Sequence, residues 1–380
     1  MSASPDDARF MQEAIGLGLQ HLGQTSTNPS VGCVIVRDGK IVGRGVTAVG
    51  GRPHAETQAL AQAGELARGA IAYVTLEPCS HHGKTPPCSE ALIAYGVSRV
   101  VISVTDPDER VSGRGIAMLR DAGIEVETGL LEEEGKRSLA AYLMRQTNNR
   151  PYVTLKLAVS ADGMIGKTGE GQIAITGPEA REQVQKLRAE TDAILVGIGT
   201  AIADDPLLTI RISGLEGRSP VRVVLDPQLR LPVTSKLVKT AREVPVIVVA
   251  SEEVSSLTAD AEERAPATDV EDSQMDARRQ ALEAAGVEVV YCHPYHPEQL
   301  LPALASRGIS SLLVEGGAKT ARLFLDAGFI DRILLYQGPG VIGEGGIETP
   351  VSKTDMPSGF AHRGTLTVGE DRLDEYEREI

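Results

Sequence analysis

The chain has 380 residues, enough for two domains that each bury a core, and 42% of the residues are hydrophobic. No apolar run approaches the roughly 18 residues that cross a bilayer, and the opening MSASPDDARF lacks the basic-then-apolar order of a secretory signal, so the cytoplasm is the expected compartment. A net charge of −14 and a pI near 5.1 argue against a polynucleotide partner while leaving small anionic substrates open.

The predicted elements begin with a helix opened by Ser4-Pro5-Asp6-Asp7, with Ser as N-cap, Pro at the first helical position and acid in the first turn. Met11, Ile15, Gly18 and Leu22 mark one of its faces. VGCVIVRDGKIVGRGVT then predicts two strands joined at Asp38-Gly39, a two-residue hairpin signal. HAETQALAQAG (helix), IAYVTLE (strand), PPCSEALIAYG (helix), RVVISV (strand), GIAMLRDAG (helix) and IEVETG (strand) continue an α/β alternation in which helices cover a sheet. A helical stretch from Leu131 to Asn149 ends in QTNNRP, which sets the domains at 1–148 and 149–380. A second α/β set follows, with strands at YVTLKLAVS, DAILVGIGT, VRVVLD, VPVIVVA, VEVVY, SLLVEGG and RILLYQGPG. Residues 251–276 break this rhythm. They are acidic and poor in large apolar groups, and are expected to form a solvated insertion with no assignable role.

The four cysteines, Cys33, Cys79, Cys88 and Cys292, are expected to be reduced thiols or metal ligands rather than disulfides. Cys33, inside VGCVIV, and Cys292, after VEVVY, suit small buried hydrophobes. Cys79 and Cys88 lie in EPCSHHGKTPPC, too far apart for a C-x-x-C hairpin. A zinc ion that activates water needs three protein ligands, an open position and a nearby base that is not itself a ligand. His54-Ala55-Glu56 followed downstream by P-C…C has the form of the zinc deaminase signature. Residues two apart do not share a helix face, so His54 and Glu56 converge only at a helix start. A thiolate at Cys88 would gain from a helix N-terminus. Were His81 or His82 to join His54, Cys79 and Cys88, the ion would be closed and structural, leaving Glu56 without a purpose.

TNPSVGCVIV, PHAE and TLEPCSHHGKTPPC together resemble the deaminase half of the bifunctional riboflavin-biosynthesis deaminase–reductases. LKLAVSADG, AILVGIGTAIADDPLLTIR and LLVEGGAKTARLFL resemble the reductase half, so the likeness spans nearly the whole chain. The resemblance implies a cytidine-deaminase-like α/β domain followed by a dihydrofolate-reductase-like one. It implies one zinc per chain and NADPH as cofactors, pyrimidine ribose phosphates as substrates, and, by analogy, a homo-oligomer. Carried over residue by residue, His54, Cys79 and Cys88 would hold zinc and Glu56 would shuttle protons. Asn28, His82 and Lys84 would line the substrate pocket, although Asn28 alone is a plain turn residue in NPS. Ala158, Thr200, Asp204 and the loop Gly317, Ala318, Lys319 and Thr320 would contact NADPH. Lys156, Gly171, Arg188, Leu208, Arg211 and Glu315 would lie near the reductase substrate, the two arginines suiting a sugar phosphate.

In the reductase half the residues alone say less. There is no G-x-G-x-x-G; Gly316 and Gly317 would let backbone N–H groups approach a phosphate at a helix N-terminus, but a strand–Gly-Gly–helix turn is common and does not by itself specify a cofactor. Where some members of the family have an aromatic cofactor contact near Gly171-Gln172, this chain reads GEGQIAITG, with Ile173 or Ala174 in place of the ring. Three rival readings are a nucleic-acid base deaminase, a zinc-stabilised binding protein and a deaminase with a non-catalytic second domain.

Overall fold

The computed structural model describes residues 5–82, 86–108, 112–251 and 269–379. Ser4 and Lys84 lie outside the described residues, as does most of the acidic stretch. From Asp269 that stretch is the start of a helix rather than an irregular insertion. The chain divides into two compact units, 1–150 and 151–380, two residues beyond the expected boundary.

The first unit runs α1 (Pro5–Gly18), β1 (Gly32–Arg37), β2 (Lys40–Val46), α2 (Ala55–Ala63), β3 (Ile71–Leu76), α3 (Cys88–Tyr95), β4 (Arg99–Val104), α4 (Arg114–Asp121), β5 (Glu125–Thr128), α5 (Glu132–Ser138) and α6 (Ala140–Asn148). Its five strands are ordered β2-β1-β3-β4-β5. β1 is antiparallel to both neighbours, whereas β3, β4 and β5 are parallel. Asp38 and Gly39 turn the β1–β2 hairpin with positive φ of 51° and 71°, as a two-residue turn requires. β1, β3 and β4 are buried along nearly their full length because helices cover both faces, giving apolar runs such as VVISV instead of alternation. Cys33 is fully buried among them.

Two glycines of β2 set the position of α2. A Cβ on Gly45 would strike the backbone oxygen of Ala55, and one on Gly43 that of Ala59. The helix therefore lies with its backbone directly against the strand, and its first turn is held at a fixed depth above the sheet.

The second unit contains β6 (Tyr152–Val159), β7 (Met164–Lys167), α7 (Pro178–Ala189), β8 (Ala193–Gly197), α8 (Ile198–Asp204), β9 (Val221–Leu225), α9 (Lys236–Lys239), β10 (Val246–Ala250), α10 (Asp269–Ala284) and β11 (Glu288–Tyr291). It continues with α11 (Pro297–Ala305), β12 (Ser311–Val314), α12 (Ala318–Asp326), β13 (Arg332–Gln337), β14 (Gly346–Glu348), β15 (Phe360–Val368) and β16 (Asp371–Arg378). The main sheet is ordered β11-β10-β9-β8-β12-β6-β13-β16-β15. It is parallel from β11 to β13 and antiparallel across β13, β16 and β15. Apart from it, β7 and β14 pair as a small antiparallel sheet. Cys292 is half-buried against the core, so the thiol is less enclosed than its sequence suggests. No described helix is long and apolar enough to cross a membrane.

Candidate active sites

The first cavity, of about 300 Å³, opens where the N-termini of α2 and α3 meet the end of β3. His54 is the N-cap of α2, with extended backbone (φ −70°, ψ 162°), and Glu56 stands in the first turn, only 4% exposed. This is the one place on a helix where residues two apart converge. Cys79 follows β3, and Cys88 is the first residue of α3, with Pro87 as N-cap and both prolines outside the helix. The Cys88 N–H donates to Cys79 Sγ at 3.3 Å, and the Ser89 N–H and Oγ–H donate to the Cys79 carbonyl at 3.2 and 3.0 Å. Glu77 secures the same strand end by accepting from the N–H groups of Gly113, Gly115 and Ile116 at the start of α4.

These elements bring His54, Cys79 and Cys88 into one group whose ligand atoms lie within 4.8 Å of one another. His54 Nδ1 is 3.3 Å from Cys88 Sγ and 3.6 Å from Cys79 Sγ. Tetrahedral zinc with ordinary Zn–N and Zn–S bonds sets N···S edges of about 3.5 Å, so the donor set and its spacing fit that ion. His81 and His82 are not in the group. Protonation is strongly shared among the three. The hydrogen bond from Cys88, and then that with His54, brings the Cys79 thiol down to about 4 against the effect of burial. The hydrogen bond to Cys79 and burial raise Cys88, and the hydrogen bond to Cys79 raises His54. Burial, reinforced by the charge at Cys79, pushes Glu56 up to about 7.

Asn28 lines this cavity, held by a turn in which Thr25 Oγ1 donates to the Asn28 carbonyl at 2.7 Å. His82 does not line it. Its Nε2 lies 2.9 Å from the Glu90 carboxylate on the exposed side, while His81 takes the wall position. Sequence reasoning also passed over Asp106, Tyr142, Arg52 and Arg145. Asp106 is buried and accepts from Tyr142 Oη at 3.1 Å on each oxygen, and burial raises its pKa. Its signal was available, because it follows the carboxyl end of a parallel strand, where open α/β sheets bind ligands.

The second cavity, of about 670 Å³, lies at the carboxyl ends of β6, β8 and β12. Lys156 and Ala158 of β6, Gly171, Arg188 of α7, Thr200 and Asp204 of α8, Leu208, Glu315 and Gly317 all line it. Arg188 donates through Nε and Nη2 to the two oxygens of Glu315 at 2.7 and 2.9 Å, and Lys156 Nζ is 3.7 Å from Oε2. Burial alone would raise the Glu315 carboxyl, but Arg188 and Lys156 outweigh it and hold it at about 2. Burial lowers Lys156, partly offset by Glu315.

Arg211, Ala318, Lys319 and Thr320 are not on the wall. Arg211 is exposed, with its N–H bonded to Gln185 Oε1 at 2.9 Å. Thr320 is buried behind the turn, where a Cβ on Gly316 would come within 2.6 Å of its Cβ. The Gly317 N–H donates to Thr200 Oγ1 at 3.2 Å, tying the β12–α12 turn to α8. Ile173 lines the cavity and Ala174 does not, so an aliphatic side chain stands at this part of the wall. The volume and the glycine turn before α12 fit a dinucleotide.

Residues 4–104 match the model of the cytidine and deoxycytidylate deaminase zinc-binding region, and residues 151–373 match that of the RibD C-terminal domain. Riboflavin biosynthesis protein RibD of Aquifex aeolicus is 40% identical over 339 residues, covering 89% of this chain and 88% of that one. The Escherichia coli protein of the same name is 40% identical over 351 residues, covering 89% of each. Among solved structures, Acinetobacter baumannii RibD superimposes with a TM-score of 0.83 at 34% identity over 99% of both chains. The Thermotoga maritima diaminohydroxyphosphoribosylaminopyrimidine deaminase/5-amino-6-(5-phosphoribosylamino)uracil reductase gives 0.81 at 33% identity, covering 98% of this chain and 99% of that one. The chain therefore belongs to the RibD family, the bifunctional deaminase–reductases of riboflavin biosynthesis.

Proposed function

We propose that the first unit deaminates 2,5-diamino-6-(ribosylamino)pyrimidin-4-one 5′-phosphate. The second unit then reduces the ribosyl group of the product to ribityl with NADPH. The observation that carries the first half is the meeting of His54, Cys79 and Cys88 beside a buried carboxylate that is not part of their group. Those three side chains would hold zinc, which when bound supplies the Lewis acidity that brings a water's pKa toward neutrality. Glu56, buried beside the group but not part of it, accepts the proton of the attacking water and passes it to the departing ammonia. Asn28, His81 and Arg52 line the cavity where the pyrimidine and its ribose phosphate would be held.

In the second unit NADPH supplies a hydride. The turn at Gly316-Gly317, Thr200 and Ala158 would hold the cofactor, and Asp204 would border it. Lys156, fixed by Glu315, donates a proton to the sugar oxygen released as C1′ is reduced. Its lowered pKa makes it a better acid than an exposed lysine.

Feeding the diaminopyrimidine phosphate to the purified protein with and without NADPH tests the reading. Ammonia release without NADPH, with NADPH oxidation only after deamination, is expected. Oxidation that precedes deamination would overturn the order, and absence of oxidation would remove the reductase assignment.

A further inference from the structure

β9 reads VRVVL, and Arg222, the charged residue of that apolar strand, has no exposure to solvent. A buried guanidinium ordinarily faces a carboxylate, but every acceptor that Arg222 has among the described residues is uncharged. Nη1 donates to the Leu207 carbonyl at 3.1 Å and to Thr240 Oγ1 at 2.7 Å. Nη2 donates to the Thr240 carbonyl at 3.1 Å and to the Val244 carbonyl. Burial pushes the guanidinium down to about 10, with Glu243 opposing it. The enclosed charge thus ties the turn after α9 to a segment that faces the second cavity.

That segment has little else to hold it. Asp204, Pro206 and Leu208 line the cavity. Pro206, Leu207 and Leu208 belong to no helix or strand, and the bond from Arg222 to the Leu207 carbonyl is the one hydrogen bond their backbone makes among the described residues. Asp205 and Leu208 have positive φ of 39° and 55°, conformations that such residues keep only where their surroundings impose them. Asp205 supplies a second tie, because its carboxylate accepts from the N–H of Lys236, the first residue of α9, at 2.8 Å. Both ties lead to residues 236–244, so one short stretch of chain sets where this wall of the cavity stands.

We propose that Arg222 and Asp205 are positioning residues of the reductase cavity, a clamp that fixes the wall from Asp204 to Leu208 against α9 and the turn after it. The inference rests on the reductase reading. Neither side chain lines the cavity, so both act through the wall they hold. The test is steady-state NADPH oxidation with the deaminated ribosyl phosphate, comparing wild type with R222M, D205G and D205N below the unfolding temperature of each. R222M is expected to raise the KM of the ribosyl phosphate about 10- to 100-fold with kcat nearly kept, the effect of displacing a wall by about 1 Å. D205G should raise the same KM about three- to tenfold, the effect of losing one hydrogen bond. D205N should recover most of that loss, because its side-chain oxygen still accepts and asparagine tolerates left-handed backbone.

A merely structural role gives a different pattern. Glycine takes a positive φ freely, so a residue serving only the backbone turn would make D205G harmless or stabilising. A residue acting only on folding would lower the unfolding temperature and leave KM unchanged. Ammonia release by the first unit of the same chains should match wild type, which standardises the amount of folded protein. If R222M does not fold, the D205G and D205N pair decides alone. A KM within twofold of wild type in D205G, or in an R222M protein that folds, overturns the proposal while the reductase reading stands. A wild-type protein that oxidises no NADPH overturns both.

Discussion

The two cavities reach their chemistry by different means. In the first, two helix N-termini and a strand end aim three metal-ligating side chains and one buried carboxylate at a space of about 300 Å³. In the second, a space of about 670 Å³ is walled largely by backbone, glycines and aliphatic groups, with a single buried ionic triad. The difference follows from the reactions. Hydrolytic deamination needs side chains that move protons, whereas hydride transfer needs shape and position, because the cofactor carries the reactive group. Substitution of the proton carrier in the first cavity should therefore act on kcat, whereas substitutions in the walls and turns of the second should act on stability or KM.

The largest expected effect breaks the first cavity alone. E56Q keeps the volume and removes the proton carrier, so ammonia release should fall about 10²- to 10⁴-fold. Zinc content should stay near one per chain, and reduction of pre-deaminated substrate should be unaffected. Chelation should also stop deamination, with zinc lost. Undiminished ammonia release from E56Q would end the assignment of Glu56.

E315Q tests the triad of the second cavity. Removing one partner of a buried ionic group costs about 3–5 kcal/mol, so urea unfolding of the second unit should shift by about that amount. Circular dichroism is the suitable probe because the chain has no tryptophan. The pH dependence has a definite sign. Glu315 is depressed to about 2, so its contribution is present above the ordinary carboxylate pKa of about 4.3 and is lost as pH falls from there toward 2. E315Q should flatten that acid limb. A variant within 1 kcal/mol of wild type (roughly the value of an exposed pair), with the limb unchanged, would show the triad to be solvated.

A smaller contrast lies within the Gly316-Gly317 turn. In G316A the new Cβ would be 2.6 and 2.8 Å from Cβ and Cγ2 of Thr320, which is buried on α12, and rotation of that side chain does not move its Cβ. That overpacking should cost about 1–3 kcal/mol. At Gly317 the backbone is extended (φ −68°) and a Cβ meets only Thr200 Oγ1, at 3.4 Å. G317A should therefore leave thermal stability nearly unchanged while raising the KM of NADPH, if the cofactor's phosphates lie on that turn. Equal stability losses in the two variants would remove the packing distinction.

Legibility in the sequence follows the same division. His54, Glu56, Cys79 and Cys88 stand out because metal and proton chemistry demands particular side chains, and Asp38-Gly39 because a two-residue turn demands positive φ. The pairs β7–β14 and β15–β16 escaped detection because β7 is half-buried throughout and β15, at the sheet edge, has no buried face to impose alternation. Arg211 stands off the cavity wall for a backbone reason. Asp205 and Leu208, upstream of it, have positive φ of 39° and 55°, and these turn the chain in a way that no residue type in the segment announces.

The smallest expected effect concerns two adjacent histidines whose order the sequence leaves ambiguous. One residue along an irregular loop reverses which side chain faces inward, and tertiary contacts decide the outcome. His82 is 69% exposed and pairs with Glu90, itself 41% exposed. Such a pair is worth about 0–1 kcal/mol, so H82A should change the deaminase KM and kcat less than about twofold. His81 lines the cavity wall. Loss of one neutral hydrogen bond to substrate costs about 0.5–1.5 kcal/mol, so H81A should raise KM about two- to tenfold. The double variant H81A/H82A should match H81A, because the outward ring adds nothing to binding. A reversed ranking, with H82A the more damaging, would mean that the loop turns over when substrate binds and that His82 is its inward residue.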